Sequence, residues 1–156
     1  MSRSLGSALP AELIARFSQT LPSLLGRGLP FITLAADGTL HPMLCSYLEW
    51  LAADARTLRL AIAARSRSAG NLEERGVGTL LLVEAERTIY IKCRAMGAPL
   101  RLGELARFSL AVEDVLEDSP TAEEGDVRIT GGITYAPTSS LEEPWVKAVL
   151  AALRAG

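Results

Sequence analysis

The fold is decided by the stretch TLRLAIAARSRSAGNL, which spans residues 57–72. From Thr57 to Ile62 a leucine or isoleucine stands at every second position, which predicts a strand with one buried face. The alternation then stops, and polar residues open a short helix from Ser66 to Arg75. Gly76 marks the end of that helix. The stretch therefore predicts a strand that leads through a basic, serine-rich turn into a helix.

Working outward from this stretch, short alternating or apolar runs predict six or seven strands. Asp37-Gly38 is a strong hairpin signal, because both residues tolerate the positive φ that a two-residue turn needs. Gly131-Gly132 predicts a bulge or a close backbone approach in the last run. Hairpin-linked strands form antiparallel sheets, so we expect a barrel or a sandwich. The strand candidates are Phe31–Ala35, Pro42–Leu51, Thr57–Ile62, Thr79–Val83, Thr88–Arg94, Phe108–Val115 and Val127–Thr134.

Helical patterns flank the strands on both sides. Apolar residues recur at spacings of three and four from Pro10 to about Leu25, with a break expected at Pro22. At the other end, Ser140 and Glu143 fit a capping box before an apolar stripe. We therefore expect a single domain over residues 1–156, with a helical segment at 1–28, a barrel at 30–135 and a C-terminal helix at 139–155. The stripe consists of Trp145, Val146, Val149, Leu150 and Leu153.

The composition limits the chemistry that the side chains can supply. The chain has 156 residues, of which 49% are hydrophobic and 22% charged, and its formal net charge is −2. Such a balance gives no indication of nucleic-acid binding or disorder. One histidine and two cysteines exclude a multi-histidine metal centre and a disulfide framework. No run is long enough for a signal peptide or a membrane span, so we expect a cytoplasmic protein whose chemistry comes from a cofactor.

The turn before the predicted helix has the composition of a phosphate site. Arg65, Ser66, Arg67 and Ser68 stand where the unpaired amides of a helix N-terminus would point. Guanidinium groups and hydroxyls add hydrogen-bond donors at the same place. A solvated turn with a serine N-cap and surface arginines explains the same residues. Spacing alone leaves both interpretations open.

The run from about Phe31 to Ala95 resembles the FMN-binding split-barrel family that includes pyridoxamine 5′-phosphate oxidase. The resemblance rests on the glycine turn Asp37-Gly38, the motif Ser66-Arg67-Ser68-Ala69 and the pair Asn71-Leu72, in the family's order. It implies a mainly β fold, an antiparallel split β-barrel with flanking helices, and FMN as the cofactor. It also implies a homodimer with the flavin at the interface, so that the working unit holds two copies of the chain.

The family's site residues can be transferred to matching positions of this sequence. The resemblance implies that Ser66 and Arg67 hold the FMN phosphate, with Arg65 as a nearby second base. It places the flavin along the strand after the hairpin turn and beside the strand that precedes the motif. The implied cofactor-binding residues are Arg65, Ser66, Arg67, Ser68, Asn71, Leu44, Cys45, Ser46, Ile62, Ala63 and Thr88.

The sequence also departs from the oxidase pattern. Ser68 replaces the second basic residue of the motif, and Met43 and Leu48 stand where the oxidase has basic residues. The C-terminal region shows no clear match to the oxidase's substrate-binding pattern. The resemblance therefore implies an FMN-dependent oxidoreductase of unknown substrate, with no catalytic side chain assigned. The alternatives are a non-catalytic flavin-binding or flavin-free split barrel, and a relative that binds deazaflavin or haem.

Overall fold

A computed structural model of the chain describes residues 2–18, 22–136 and 138–156. The described residues form strands β1 (Ser2–Gly6), β2 (Gly28–Leu34), β3 (Leu40–Ser46), β4 (Trp50–Asp54), β5 (Thr57–Ala63), β6 (Val77–Glu84), β7 (Arg87–Ala95), β8 (Leu100–Leu102) and β9 (Leu105–Asp118). The α-helices are α1 (Ala11–Ser18), α2 (Arg67–Arg75) and α3 (Pro144–Arg154). Short 3-10 turns cover Pro22–Leu24, Tyr47–Glu49 and Ala122–Glu124.

All nine strands belong to one antiparallel sheet that curls into a split barrel. Its pairing order is β3-β2-β6-β7-β9-β5-β4, and the long strand β9 also pairs with β1 and β8. The strands β3 and β4 stand at opposite ends of this order, yet only the turn Tyr47–Glu49 joins them. The two edges of the sheet must therefore approach each other at this turn. The expected mainly β fold, an antiparallel split barrel with flanking helices, is confirmed.

The split itself arises from a capping box that interrupts one long extended segment. The Ser46 hydroxyl accepts a hydrogen bond from the Leu48 amide at 3.2 Å, and the Ser46 amide donates to Glu49 Oε2 at 2.5 Å. These bonds stabilise a turn over Tyr47–Glu49. The prediction of one continuous strand from Pro42 to Leu51 was wrong for this reason.

The core fills the inside of the barrel as the alternation of the strands predicted. Leu58, Leu60 and Ile62 are buried on one face of β5, and the rings of Phe31 and Trp50 meet edge to face at 5.0 Å. Outside the barrel, α3 packs on β5 and β9 and covers Ala61 with Val149 and Leu153.

The N-terminal region differs from the expected helical segment at 1–28, because it also contains strand β1. Helix α1 ends at Ser18, and the part of the predicted helix over residues 19–21 lies outside the described residues. Strand β1 pairs with the last part of β9, from Val115 to Asp118. Its polar sequence carries no periodic signal, so only the open edge that β9 offers explains the strand.

The predicted strand Val127–Thr134 was also wrong, although its glycine pair makes the close approach that was expected. The segment crosses the end of β6, and a Cβ atom at Gly132 would lie 2.6 Å from the Val83 carbonyl oxygen. Its only ladder contact within the described residues is an isolated bridge between Arg27 and Thr134. Single backbone bonds therefore hold it, such as the one from the Glu86 amide to the Ile129 carbonyl at 2.8 Å.

The C-terminal helix is confirmed, but it begins later than the capping signal indicated. The Ser140 amide donates to Glu143 Oε1 at 2.8 Å in the turn that precedes Pro144. Glu143 is the residue that caps the helix, and Pro144 fits its first position. Trp145 points away from the barrel and donates to Glu143 Oε2 at 2.5 Å, so it does not belong to the buried stripe.

Candidate functional site

Helix α2 begins at the end of β5 and presents free backbone donors there. Ser66 caps it with extended backbone angles, and its hydroxyl accepts a hydrogen bond from the Ala69 amide at 3.2 Å. The Gly70 amide donates to the Ser66 carbonyl. The amides of Arg67 and Ser68 therefore remain as first-turn donors without an acceptor inside the helix. Their dipoles favour a negative charge at this end.

Two guanidinium groups flank these amides. Arg65 and Arg67 are both exposed, and neither forms an ion pair with any residue that the structure describes. Nearby bases are engaged, since Arg101 pairs with Glu73 at 2.5 Å and Arg75 donates to the Ala36 carbonyl. Positive charge at the start of α2 is therefore available to an incoming anion.

Ser68 adds a hydroxyl that finds no partner among the described residues. The residue is 1% exposed, and its Oγ atom is buried without a hydrogen bond. A buried hydroxyl in that state costs about 1–3 kcal/mol. The orphan hydroxyl, the free amides and the unpaired arginines form a donor set that suits a phosphate group.

Asn71 anchors the helix to the barrel. Its side-chain amide donates to Thr33 Oγ1 at 2.9 Å, and that hydroxyl donates to the His41 carbonyl at 3.3 Å. The chain of bonds connects α2 with β2 and the beginning of β3. It fixes the start of α2 relative to the strand that the resemblance places along the flavin.

The three residues expected on that strand have different environments. Leu44 projects from the outer face and is 43% exposed, whereas Cys45 lies in the core at 1%. Burial raises the pKa of the Cys45 thiol far above its ordinary value, and the nearby Glu49 adds to the effect. Ser46 is committed to its capping box. Of the three, only Leu44 offers its side chain to a ligand on the outer face.

Two residues that the sequence did not single out complete an apolar patch around Leu44. A Cβ atom at Gly28 would lie 3.1 Å from Ile133 Cγ2, 3.2 Å from Leu44 Cδ1 and 3.3 Å from the Tyr135 ring. The Gly28 amide donates to the Ile133 carbonyl at 2.9 Å, and the Tyr135 amide to the Gly26 carbonyl at 2.7 Å. The sequence signal that could have indicated them is the pair of large apolar side chains at alternate positions directly after Gly131-Gly132. The patch of Leu44, Ile133 and Tyr135 is hereafter called the ring patch.

The remaining expected site residues are spread over the barrel. Ala63 is exposed beside the start of α2, but the Ile62 side chain lies in the core, 2% exposed. Thr88 pairs with Val83 and Asp118. Along the long strand β9, Thr88 pairs with the last residue, Asp118, whereas Ala63, which leads into α2, pairs with the first, Leu105, thirteen residues away. Within one chain, Thr88 is therefore separated from the arginine–serine cluster.

The described residues offer neither a metal centre nor a membrane-spanning helix. No group of three or more histidine, cysteine, aspartate or glutamate residues is arranged to hold a metal ion there. Across residues 2–18, 22–136 and 138–156, no helix combines the length and apolar character needed to cross a membrane.

This barrel, with its arginine–serine cluster at the start of α2, defines the class of fold. The chain has the split-barrel fold of the pyridoxamine 5′-phosphate oxidase-like proteins. No protein-family model matches the sequence, and no curated protein matches it.

Solved structures with this fold include proteins of differing ligand chemistry. A candidate pyridoxamine 5′-phosphate oxidase from Lactobacillus delbrueckii matches with a TM-score of 0.54 and 12% identity, over 72% of this chain and 98% of that one. An FMN-binding protein from Syntrophomonas wolfei matches with a TM-score of 0.54 and 14% identity, over 70% and 88%. The haem storage protein HutZ from Vibrio cholerae matches with a TM-score of 0.50 and 15% identity, over 62% and 89%. At these identities the likeness shows the fold alone.

Proposed function

We propose that this protein binds FMN and acts as a flavin-dependent oxidoreductase on a substrate still unknown. The observation that carries the proposal is the donor set at the start of α2. Among the described residues, Arg65 and Arg67 form no ion pair beside the Ser66 cap, and the buried Ser68 hydroxyl has no hydrogen-bond partner. A phosphate dianion at the start of α2 would accept hydrogen bonds from the two guanidinium groups and the free first-turn amides.

Each residue of this set has a distinct part in the proposal. Arg65 and Arg67 supply the positive charge. Arg65 takes the role of the family motif's second basic residue, whose position Ser68 occupies in this sequence. The free amides of the first turn fix the phosphate oxygens, while Asn71 holds the helix against Thr33. The rest of the cofactor would extend along β3 toward the ring patch, since Leu44 lies three residues, or about 10 Å, beyond His41. Bound FMN would supply hydride transfer, which the protein's own side chains do not offer.

We further propose that the working unit is a homodimer. The outer face of β3 exposes Leu40 and Leu44, which are 71% and 43% accessible. Exposed apolar side chains on a sheet face are typical of an interface. A second copy would also bring its own Thr88 toward the flavin, which the distance within one chain does not allow.

A cytoplasmic location is part of the same proposal. Cys45 and Cys93 are both free and buried. Burial raises the pKa of Cys93 to about 12, with a smaller effect from Glu113, so this thiol stays protonated at neutral pH. Unpaired thiols suit a reducing compartment.

A comparison of FMN with riboflavin tests the phosphate clamp directly, because the two ligands differ only in the phosphate. We expect wild-type protein to bind FMN at least about tenfold more tightly, as charge-assisted hydrogen bonds contribute about 1.5–3 kcal/mol each. Arg67→Gln and Arg65→Gln should each reduce this preference, whereas Arg56→Gln, an exposed arginine at the β4–β5 turn, should not. Equal binding of both flavins by wild-type protein would refute the clamp.

Two spectroscopic measurements separate the enzyme from the other functions. The absorption spectrum of freshly purified protein distinguishes a bound flavin from a bound haem, the group that the haem storage protein HutZ is named for. Bleaching of the bound flavin's absorbance by NADH or NADPH would support an oxidoreductase. A flavin that stays oxidised with both donors would instead favour a non-catalytic flavin-binding module.

A further inference from the structure

A cavity opens at the end of the barrel away from α2. It has a volume of about 500 Å³, within the range of small-molecule sites. Its wall is formed by the end of β6, the start of β7, the last turn of α1 and the 3-10 turn at Pro22–Leu24. The lining is part apolar, from Leu24, Leu82 and Val83, and part polar, from Ser23, the carboxylate of Glu84 and three arginines, Arg16, Arg27 and Arg87. We call it the barrel-end cavity.

Two of these arginines are neutralised by the protein itself. Arg87 contacts Glu12 at 2.9 Å, Glu84 at 3.0 Å and Glu117 at 3.1 Å. Arg16 pairs with Glu84. Arg3 shares Glu117 with Arg87, at 2.8 Å. Three carboxylates thus serve three arginines, and within residues 2–18, 22–136 and 138–156 none of the three pairs with the remaining arginine of the cavity.

That remaining arginine, Arg27, is held in place through its backbone. Its amide donates to the Leu24 carbonyl at 2.9 Å, and its carbonyl accepts from the Tyr47 amide at 3.0 Å. It also forms the bridge with Thr134. Its partly buried side chain has no carboxylate partner among the described residues. A fixed, partly desolvated cation without a partner favours an anionic ligand.

We propose that the barrel-end cavity is a second ligand site, which binds a small organic anion. Arg27 and the Ser23 hydroxyl would hold its carboxylate or phosphate oxygens, and Leu24, Leu82 and Val83 would contact its apolar body. The site stands apart from the proposed FMN phosphate clamp, because Ala63 before the clamp pairs with Leu105 at the start of β9, whereas Thr88 beside the cavity residue Arg87 pairs with Asp118 at its end. Its occupation does not depend on FMN.

The neighbouring glycine pair provides a variant that blocks the site from within. A Cβ atom at Gly131 would lie 4.0 Å from Arg27 Nη1 and meet nothing else within that distance. The backbone at Gly131 does not have a positive φ, so a side chain fits there without strain. Gly131→Asp would thus place a carboxylate beside Arg27, whereas Gly131→Ala adds a methyl group without charge.

Calorimetric titration with benzoate, phenyl phosphate and uncharged benzyl alcohol tests the proposal in FMN-saturated protein. We expect saturable binding of at least one anion, and binding of benzyl alcohol at least about tenfold weaker. Whichever anion binds more tightly identifies the headgroup as carboxylate or phosphate. Arg27→Gln and Gly131→Asp should each weaken anion binding about tenfold or more, because both remove the unpaired positive charge.

Matched controls and a fold check accompany these variants. Gly131→Ala and Arg56→Gln should keep the wild-type affinity, and circular dichroism should show that all four variants fold. The proposal is overturned if no anion binds saturably, or if folded Arg27→Gln binds as well as wild type. Competition between FMN and the anion would also overturn it, because the anion would then occupy the flavin site.

Discussion

At the scale of single residues, Glu49 is a carboxylate whose buried surroundings disfavour its charge. It lies in the turn that splits the barrel, where burial raises its pKa from 4.5 to about 7. The hydrogen bond from the Ser46 amide acts in the opposite direction but is the weaker influence. Cys45 and Tyr135 face the same carboxylate, and its charge contributes to the raised pKa of each.

This environment predicts a stability that falls as the pH rises. The folded state holds the Glu49 proton more tightly than the unfolded chain, so the advantage is complete below pH 4.5 and is lost by about pH 7. The shift corresponds to about 3 kcal/mol. Glu49→Gln cannot ionise and should remove most of this dependence. Urea unfolding at a series of pH values between 5 and 8 measures it.

Glu142→Gln is the control for this prediction, because Glu142 is 84% exposed. The free energy of unfolding of Glu142→Gln should vary with pH in the same way as that of wild-type protein. If the free energy of unfolding of Glu49→Gln changes with pH as steeply as that of wild-type protein, the Glu49 carboxylate does not cause the pH dependence.

Gly78 illustrates a second effect at residue scale, the need for space against the core. A Cβ atom there would lie 2.4 Å from Cζ of the fully buried Phe31. Gly78→Ala should therefore lower the free energy of unfolding by about 1–3 kcal/mol through overpacking. Gly70→Ala, in the interior of α2 with no atom nearby, should raise it by about 0.5–1 kcal/mol. Chemical denaturation compares the two, and equal effects would contradict the packing argument.

At the scale of elements, helix α3 depends on its contact with the outside of the barrel. Val149 is buried against the sheet, and the Arg59 and Arg107 guanidiniums donate to carbonyls at the helix end, at 2.9 Å to Leu153 and 2.8 Å to Ala155. Val149→Ala should cost about 2 kcal/mol from the lost methyl groups and the space they leave.

Lys147→Ala on the same helix is the matched control. Its ion pair with Glu142 is 2.6 Å long but exposed on both sides, so its loss should change stability by less than about 1 kcal/mol. Thermal unfolding measures both variants. A cost at Lys147 as large as that at Val149 would show that α3 is held by surface charge rather than by packing.

The elements that sequence patterns predicted well are those with a buried face. Strands β5, β7 and β9 follow their alternation because one side of each faces the core. Strand β1 was missed because its polar residues show no periodicity. They pair only with the end of β9, which lies more than a hundred residues further along the chain. The segment from Val127 to Thr134 has the composition of a strand but meets β6 at its end, where no ladder is available.

At the scale of the whole molecule, the proposed dimer makes a prediction about mass. Wild-type protein should have a solution mass of about 33 kDa, twice the 16.6 kDa of one chain. Leu40→Lys should shift it toward the monomer, because a charge would replace an apolar contact at the interface. If the flavin lies between two copies, the same change should weaken FMN binding about tenfold or more.

Val127→Lys is the control, since Val127 is 62% exposed in the loop before the glycine pair and lies off the outer face of β3. It should leave both mass and FMN affinity unchanged. Analytical ultracentrifugation with a parallel FMN titration gives both values. If wild-type protein is a monomer and still binds FMN, the flavin does not lie at an interface between two copies.

The sequence by itself determined the antiparallel strands, the cap and end of α2 and the arginine–serine cluster, while the resemblance chose a barrel over a sandwich. These features follow from local periods and from residue types that act within a few positions of one another. Only the tertiary structure decided which cations remain unpaired, that Ile133 and Tyr135 join Leu44, and that Arg27 faces a cavity. Those outcomes depend on contacts between residues up to about a hundred positions apart, and a linear pattern holds no information about such distances.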